Sequence, residues 1–395
     1  MEKILVIGAF DRYNYGDLLF PLIIEKQLNT YNIDFEFHFF GLVESDLSKE
    51  GGFPTEDLQA FYKACQNPTD KVHVIVAGGE ALGVTWHSLL AALNKTYQKI
   101  HRYHIRISKI VDLNGIARKV LGGKTILPFV FTKSDFPGVK SVILNSLGGS
   151  GLKKAQFEQY DFLKKKLIRA DYLAVRDKTT VSNLKENGVN AQLFPDSAIL
   201  MSEFYPVTIL ETQITNEVRS YVKENKGSYV FFQINKKTTV GKEDLIAAEL
   251  DKIQERENVK ICLCPIGKAL NHDDHLALEA VKGKMISPAT YFDADNIWDI
   301  MYLIANSKCY IGTSLHGAIT ALSYAVPHVG LKVEKLDAYL NTWGAKGNNF
   351  AVDFSEIYTQ FLAATVISKS VYEEKRDIQI SEMKKAFDQM VKILQ

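Results

Sequence analysis

Short apolar runs recur through the first 200 residues, and several lack the polar alternation of a half-exposed strand. They are KILVIGA (3–9), FEFHFF (35–40), VHVIVAGG (72–79), TILPFVF (125–131), SVILNSLGG (141–149), YLAVRD (172–177) and AQLFPD (191–196). Strands covered on both faces read this way, which narrows the fold to a sheet with helices on each side. Helical patterns fill the gaps at 17–31, 85–121 and 153–169, giving a parallel sheet with crossover helices. A second series follows: SYVFFQIN (228–235), VKICLCPIG (259–267), KMISP (284–288), KCYIGTS (308–314) and HVGLK (328–332). Its helices are expected over 243–256, 272–282, 296–306 and 316–325. The polar stretch 202–227 separates the two series, so a boundary is expected near 205–225. The resulting division is a first Rossmann-like domain over 1–210, a second over 220–354, and a charged helical tail over 355–395. Whether the tail returns to the first domain is left open by the sequence.

At 395 residues the chain has room for two or three domains of roughly 100–200 residues each. Lys and Arg total 47 against 46 Asp and Glu, which argues against a surface built for nucleic acid. The opening MEKILVIGAF runs straight into RYNYGD and reads as a buried first strand rather than a signal peptide. No apolar stretch of about 18 residues occurs, so no transmembrane helix is expected. Cys65, Cys262, Cys264 and Cys309 lack metal or redox spacing and read as reduced core thiols of a cytoplasmic protein.

In open α/β sheets ligands bind beyond the carboxyl ends of the strands, so the residues that follow each run are the candidates. After the first run comes Tyr13-Asn14-Tyr15-Gly16-Asp17. Asp17 is placed either to cap the next helix or, with Asn14 and Gly16, to line a cleft. After the third comes Ala77-Gly78-Gly79-Glu80, whose glycines permit close approach of a ligand or another backbone. Gly148, Gly149 and Gly151 repeat that theme, and neither segment completes a dinucleotide fingerprint. Arg176 ends an apolar strand and needs a partner, either Asp177 or Asp196 within the protein or an anionic ligand. Gly312-Thr313-Ser314-Leu315-His316-Gly317 is a strand, a small-residue turn and a helix start, a favourable anion site with a histidine in its first turn. The run Asn271-His272-Asp273-Asp274-His275 has the look of a metal cluster, but Asn271 and Asp273 suit a helix start and no third ligand is fixed. His101 and His104 fall in a basic helix and read as a solvated face. No metal and no cofactor is expected.

Three blocks in order resemble the polysaccharide pyruvyl transferase family: YNYGD (13–17), VRDKTTVSNLKENGVNAQLFPDSAIL (175–200) and GTSLHGAITALSYAVPHVGL (312–331). The resemblance implies a GT-B-like α/β fold, two Rossmann-like domains with mostly parallel sheets facing across a cleft. It implies phosphoenolpyruvate as donor and a sugar hydroxyl pair as acceptor, on a surface or extracellular polysaccharide or its precursor, joined as a pyruvate ketal. It points to His316, Arg176 and Asp17 as catalytic. Asn14, Gly16, Gly78, Gly79, Asp177, Asp196, Ser314, Gly317 and Lys335 would bind substrate, and peripheral contact with polysaccharide assembly machinery is compatible with it. Many members carry an arginine where this chain has Ser314, and Arg176, Lys332 or Lys335 would have to supply that charge. Two rival readings stay open at this point. One is a GT-B-like glycosyltransferase using a nucleotide sugar, the other a non-catalytic glycan-binding relative.

Overall fold

The structure is a computed structural model that describes residues 2–101, 103–108, 110–152, 154–268 and 273–395. Two six-stranded, all-parallel sheets organise it. The first contains β1 (Glu2–Ile7), β2 (Phe35–Phe40), β3 (Val72–Ala77), β4 (Val139–Leu147), β5 (Tyr172–Val175) and β6 (Gln192–Leu193). The second contains β7 (Tyr229–Gln233), β8 (Lys260–Leu263), β9 (Thr290–Tyr291), β10 (Cys309–Gly312), β11 (His328–Leu331) and β12 (Ala351–Val352). Buried Val, Ile, Leu and Phe fill most of the central strands, as expected where helices cover both faces.

The two sheets reverse their strand order at different places. The first runs β2-β1-β3-β4-β5-β6 and the second β9-β8-β7-β10-β11-β12. Chain direction therefore switches between β1 and β3 in one sheet and between β7 and β10 in the other. Such switch points open a crevice beyond the strand ends, because the crossovers leave to opposite sides. Two helices lead out of these crevices, α1 (Tyr15–Leu28) after β1 and α4 (Leu315–Ser323) after β10; between them in the chain lie α2 (Lys178–Glu186) and α3 (Asp274–Lys282). One apolar cluster includes residues of both halves, among them Leu19 and Ile23 of α1 with Ile319 and Leu322 of α4.

Helix α5 (Glu334–Trp343) belongs to the second half but ends against the first. The Trp343 indole N–H donates to the Arg176 carbonyl (2.8 Å), and the Lys178 N–H to the Thr342 hydroxyl (3.0 Å). The last helix, α6 (Lys369–Leu394), packs on β4, α1 and α4. No described helix is long and apolar enough to cross a membrane.

Some expected elements differ. TILPFVF forms no sheet strand, only an isolated bridge between Leu127 and Val130, because Pro128 cannot donate to a ladder. KMISP is a turn ahead of the two-residue β9. The helical pattern 85–121 is broken into four short helices, and 153–169 into two that meet at Tyr160–Asp161. All four cysteines are free and buried.

Candidate active site

The YNYGD turn joins the two halves. Asn14 forms an isolated bridge with Gly267, the Tyr15 N–H donates to the Ile266 carbonyl (3.2 Å), and the Tyr15 and Thr320 hydroxyls lie 2.7 Å apart. Asn14, not Asp17, stands at the N-cap of α1. Asp17 lies in the first turn, where it accepts a 2.7 Å hydrogen bond from the Asn14 amide and favours the positive end of the helix. Gly16 has no room for a side chain: a Cβ there would fall 1.9 Å from Nδ1 of His316. That contact sets the YNYGD turn directly against the first turn of α4.

Gly78 and Gly79 continue β3 with φ of 95° and 63°, a left-handed path that needs glycine. The path delivers Glu80 to Arg176. Arg176 is 1% exposed and both its terminal nitrogens are engaged: Nη1 donates to Asp196 (2.8 Å) and Nη2 to Glu80 (3.0 Å). The other Glu80 oxygen accepts from the Ser150 N–H and hydroxyl (3.1 and 3.3 Å). Asp196 is completely buried, and its second oxygen accepts from the Ala198 N–H (3.1 Å). Burial alone would raise its pKa, but His316, Arg176 and that N–H outweigh it and hold the carboxyl at about 2. His316 Nε2 lies 3.5 Å from Asp196, too far for a good hydrogen bond, and has no other partner among the described residues. The edge of Phe20 meets the ring at 5.2 Å between centroids.

The second half supplies its own buried acid. Asp274, at the start of α3, accepts at one oxygen from Gln233 (2.7 Å) and from the N–H groups of Ile266 (3.1 Å) and Gly267 (2.9 Å). Its other oxygen is buried and has no partner among the described residues. Burial, against those three donors and His275, leaves its pKa raised to about 6. Gln233, at the end of β7, accepts from the Ser314 N–H (2.9 Å) and so ties Asp274 to the start of α4.

The structure thus brings Asn14, Gly16, Asp17, Gly78, Gly79, Arg176, Asp196, Ser314, His316 and Gly317 to the two facing switch points. Ser314 caps α4 through the Gly317 N–H (3.3 Å), and Gly317 packs on the Tyr310 ring. Asp177 is buried and spends both oxygens on Thr180, capping α2. Of the two internal partners weighed for Arg176, only Asp196 bonds it; the second is Glu80, 96 positions away in the chain. Glu80, Gln233 and Asp274 were missed as site residues. Glu80 follows the glycine pair directly, so the signal was present, whereas nothing local marks Gln233. Asn271 and His272 lie outside the described residues, as does the His101 side chain. Asp274 turns inward on the 266–267 turn, and among the described residues no three His, Cys, Asp or Glu side chains form a metal cluster.

The model of a family described as polysaccharide pyruvyl transferase matches residues 14–334, most of the chain. No curated protein matches the chain. Among solved structures, UDP-GlcNAc 2-epimerase from Neisseria meningitidis bound to UDP-GlcNAc is similar at 11% identity, over 99% of each chain, with a TM-score of 0.55. The Methanocaldococcus jannaschii UDP-GlcNAc 2-epimerase in complex with UDP-GlcNAc and UDP is similar at 13% identity, over 93% of this chain and 94% of that one, with a TM-score of 0.54. A trehalose-6-phosphate synthase, OtsA, is similar at 12% identity, over 100% and 99%, with a TM-score of 0.53. At such identities the likeness is one of fold, and the fold is of the GT-B type.

Proposed function

Since the chain belongs to the polysaccharide pyruvyl transferase family, we propose that it transfers a pyruvyl group from phosphoenolpyruvate to two hydroxyls of one sugar, closing a cyclic ketal. The acceptor would be a surface or extracellular polysaccharide or its precursor. The enzyme would act in the cytoplasm, in peripheral contact with the machinery that assembles the glycan. The observation that carries this reading is His316, whose Nε2 has no hydrogen-bond partner among the described residues, beside an ionised Asp196 and seated against Gly16 and so next to Asp17.

The chemistry asks for an acid, a base and positive charge. A proton delivered to the methylene carbon of the enol phosphate leaves the adjacent carbon electron-poor. The first sugar hydroxyl adds there and gives up its proton, forming a phospho-lactoyl ketal. The second hydroxyl then attacks the same carbon, phosphate leaves with the bonding pair, and loss of the second proton completes the ring. His316 is assigned as the general acid, with the Asp196 carboxylate 3.5 Å from its Nε2. Asp17, in the first turn of α1 beside Gly79, is assigned to accept a hydroxyl proton. Arg176 is assigned a positioning role. Both terminal nitrogens already hold carboxylates, so it acts through Asp196 and Glu80 rather than as a free clamp on the donor.

The test is release of inorganic phosphate from phosphoenolpyruvate in the presence of a panel of acceptor glycans, beside a panel of nucleotide sugars. Turnover with phosphoenolpyruvate is expected, and His316→Ala is expected to slow it by about 10²–10⁴-fold. Full turnover by His316→Ala would remove the acid from this assignment. Turnover of a nucleotide sugar in place of phosphoenolpyruvate would overturn the donor.

A further inference from the structure

The segment that holds the four short helices of residues 86–120 carries a charge unlike the rest of the molecule. Residues 81–132 contain eight Lys or Arg and a single acid, Asp112, a net charge of +7. The whole chain stands at +1, so everything outside this segment together stands at −6. Lys95, Lys99, Arg106, Lys119 and Lys124 are exposed, and none of these five pairs with a carboxylate among the described residues. Asp112 spends one oxygen on the Gly115 N–H (2.9 Å), capping the helix Leu113–Val120.

The same segment exposes apolar side chains. Of the sixteen large apolar residues exposed among the described ones, six lie between 103 and 126, so the exposure is concentrated here: Tyr103, Ile110, Val111, Ile116, Val120 and Ile126. Ile110 is 89% exposed and Val120 65%. Most of the six gather round one helix. Ile110 and Val111 lead into Leu113–Val120, Ile116 and Val120 stand one turn apart on its outer side, and Leu113 and Ala117 are buried on its inner side. The Asn114 amide donates to the Ile126 carbonyl (3.1 Å) and brings Ile126 to the first turn. Exposed aliphatic side chains among unpaired ammonium groups suit a bilayer with anionic headgroups, which takes the first into its acyl boundary and the second among its phosphates. Single-stranded nucleic acid asks for aromatic rings on which bases stack, and five of these six residues are Ile or Val. A two-fold pairing with a second copy would set like charge against like charge.

We infer that residues 95–126 dock the protein on an anionic bilayer surface, with Ile110, Ile116 and Val120 entering the acyl boundary and the exposed lysines meeting headgroup phosphates. The docking goes beyond the transferase reading and does not depend on it. Its place in the fold bears on that reading all the same. Val111 also lines a cavity of about 370 Å³ with Thr85, His87, Asn114 and Tyr160. That cavity shares Gly83, Ser88 and Gln156 with a second of about 370 Å³, lined in part by Glu80, Ser150 and Lys335. The docking face therefore adjoins a path that ends at the Glu80–Arg176 pair. If the transferase reading holds, an acceptor anchored in the bilayer by a lipid would enter the cleft along it.

Co-sedimentation of the purified full chain with vesicles tests the docking. Vesicles of phosphatidylglycerol and phosphatidylcholine should carry it down, vesicles of phosphatidylcholine alone should not, and added salt should reduce the fraction bound. Lys119→Glu with Lys124→Glu should weaken partitioning to the anionic vesicles by about 10-fold or more. Ile110→Ser with Val120→Ser should weaken it by about 10-fold with the charge unchanged. Lys223→Glu with Lys226→Glu makes the same charge change at exposed positions of the second half, and should bind as the parent does. Thermal melting of each variant checks that it is folded. A parent that ignores the anionic vesicles, or variants at 119 and 124 and at 110 and 120 that bind as well as the parent, overturns the docking surface. Self-association lost in Ile110→Ser with Val120→Ser, without vesicle binding, gives the face to a second copy. Binding of single-stranded RNA in place of vesicles gives it to nucleic acid, and either result overturns the bilayer. Vesicle binding is read without turnover, so the transferase reading stands or falls separately.

Discussion

Each half of the cleft has a carboxylate buried almost completely, Asp196 in the first and Asp274 in the second, and these two behave in opposite ways. Asp196 follows the first sheet and is 0% exposed; Asp274 follows β8 and is 1% exposed. Both accept backbone N–H groups, and both would be raised by burial alone. Asp196 faces Arg176 and His316 and stands at about 2, whereas Asp274 faces Gln233 and two backbone donors and stands at about 6. Neutral hydrogen bonds offset only part of the cost of burying Asp274, while at Asp196 the neighbouring His316, the guanidinium 2.8 Å away and the Ala198 N–H together more than reverse it. The first half therefore carries a permanent anion beside His316. The second carries an acid that titrates close to neutral pH, two hydrogen bonds away from the start of α4.

Removing the guanidinium should break this contrast and have the largest effect. Arg176→Met leaves Asp196 and Glu80 without their cation, and stripping one partner from a buried ion pair costs about 3–5 kcal/mol. Urea unfolding at pH 7 measures it. The folded pKa of Asp196 lies below its unfolded value. Its contribution is present above about pH 4 and is lost as the pH falls through about 2. The gap between parent and Arg176→Met should therefore narrow across that window. A gap that is absent at pH 7 would reduce the cluster to the worth of a surface ion pair.

Asp274→Asn tests the other side with a smaller effect and the opposite sign. The folded pKa of Asp274 is raised, so its stabilising protonated form is complete below about pH 4, and the advantage is lost as the pH rises through about 6. Asparagine stays neutral and keeps one oxygen for the three donors. The variant should gain about 1–3 kcal/mol on the parent between pH 4 and pH 8, following the scale of a pKa unit. Unfolding curves at those two pH values decide it, and parallel behaviour would mean that Asp274 remains ionised in the fold.

How much of this was legible in sequence follows from how local each signal is. The central strands were readable because burial on both faces leaves an uninterrupted apolar run. The two-residue β9 and β12 carry no run long enough to read, and Pro128 hid a loop inside an apolar one. The turns bearing Asp17 and His316 were readable as strand ends because each couples glycine or small residues to a polar group, and Arg176 was readable as a charge that ends an apolar strand. Their mutual arrangement was not readable, because it depends on a contact between Gly16 and His316 that spans 300 positions. Asp274 was visible only as a histidine-flanked acidic run that suggested a metal. Its actual partner, Gln233, ends an ordinary buried strand.

Gln233 offers the finest adjustment of the contrast. Its amide N–H₂ donates to Asp274 and its carbonyl accepts from the Ser314 N–H, so Gln233→Leu removes one donor from the acid and orphans one backbone donor at the start of α4. The orphaned N–H should cost about 1–2 kcal/mol at pH 4, where Asp274 is protonated with or without the amide. Losing a donor to the ionised form should also move the Asp274 pKa further up, so the pH at which stability declines should rise above about 6. Stability measured at closely spaced pH values from 4 to 9 separates the two contributions, the first as a constant offset and the second as a displaced midpoint. An offset without displacement would assign Asp274 its position through Ile266 and Gly267 alone. Displacement together with a changed pH profile of turnover would make the Asp274–Gln233–Ser314 path the route by which the second half tunes the first turn of α4, where His316 sits.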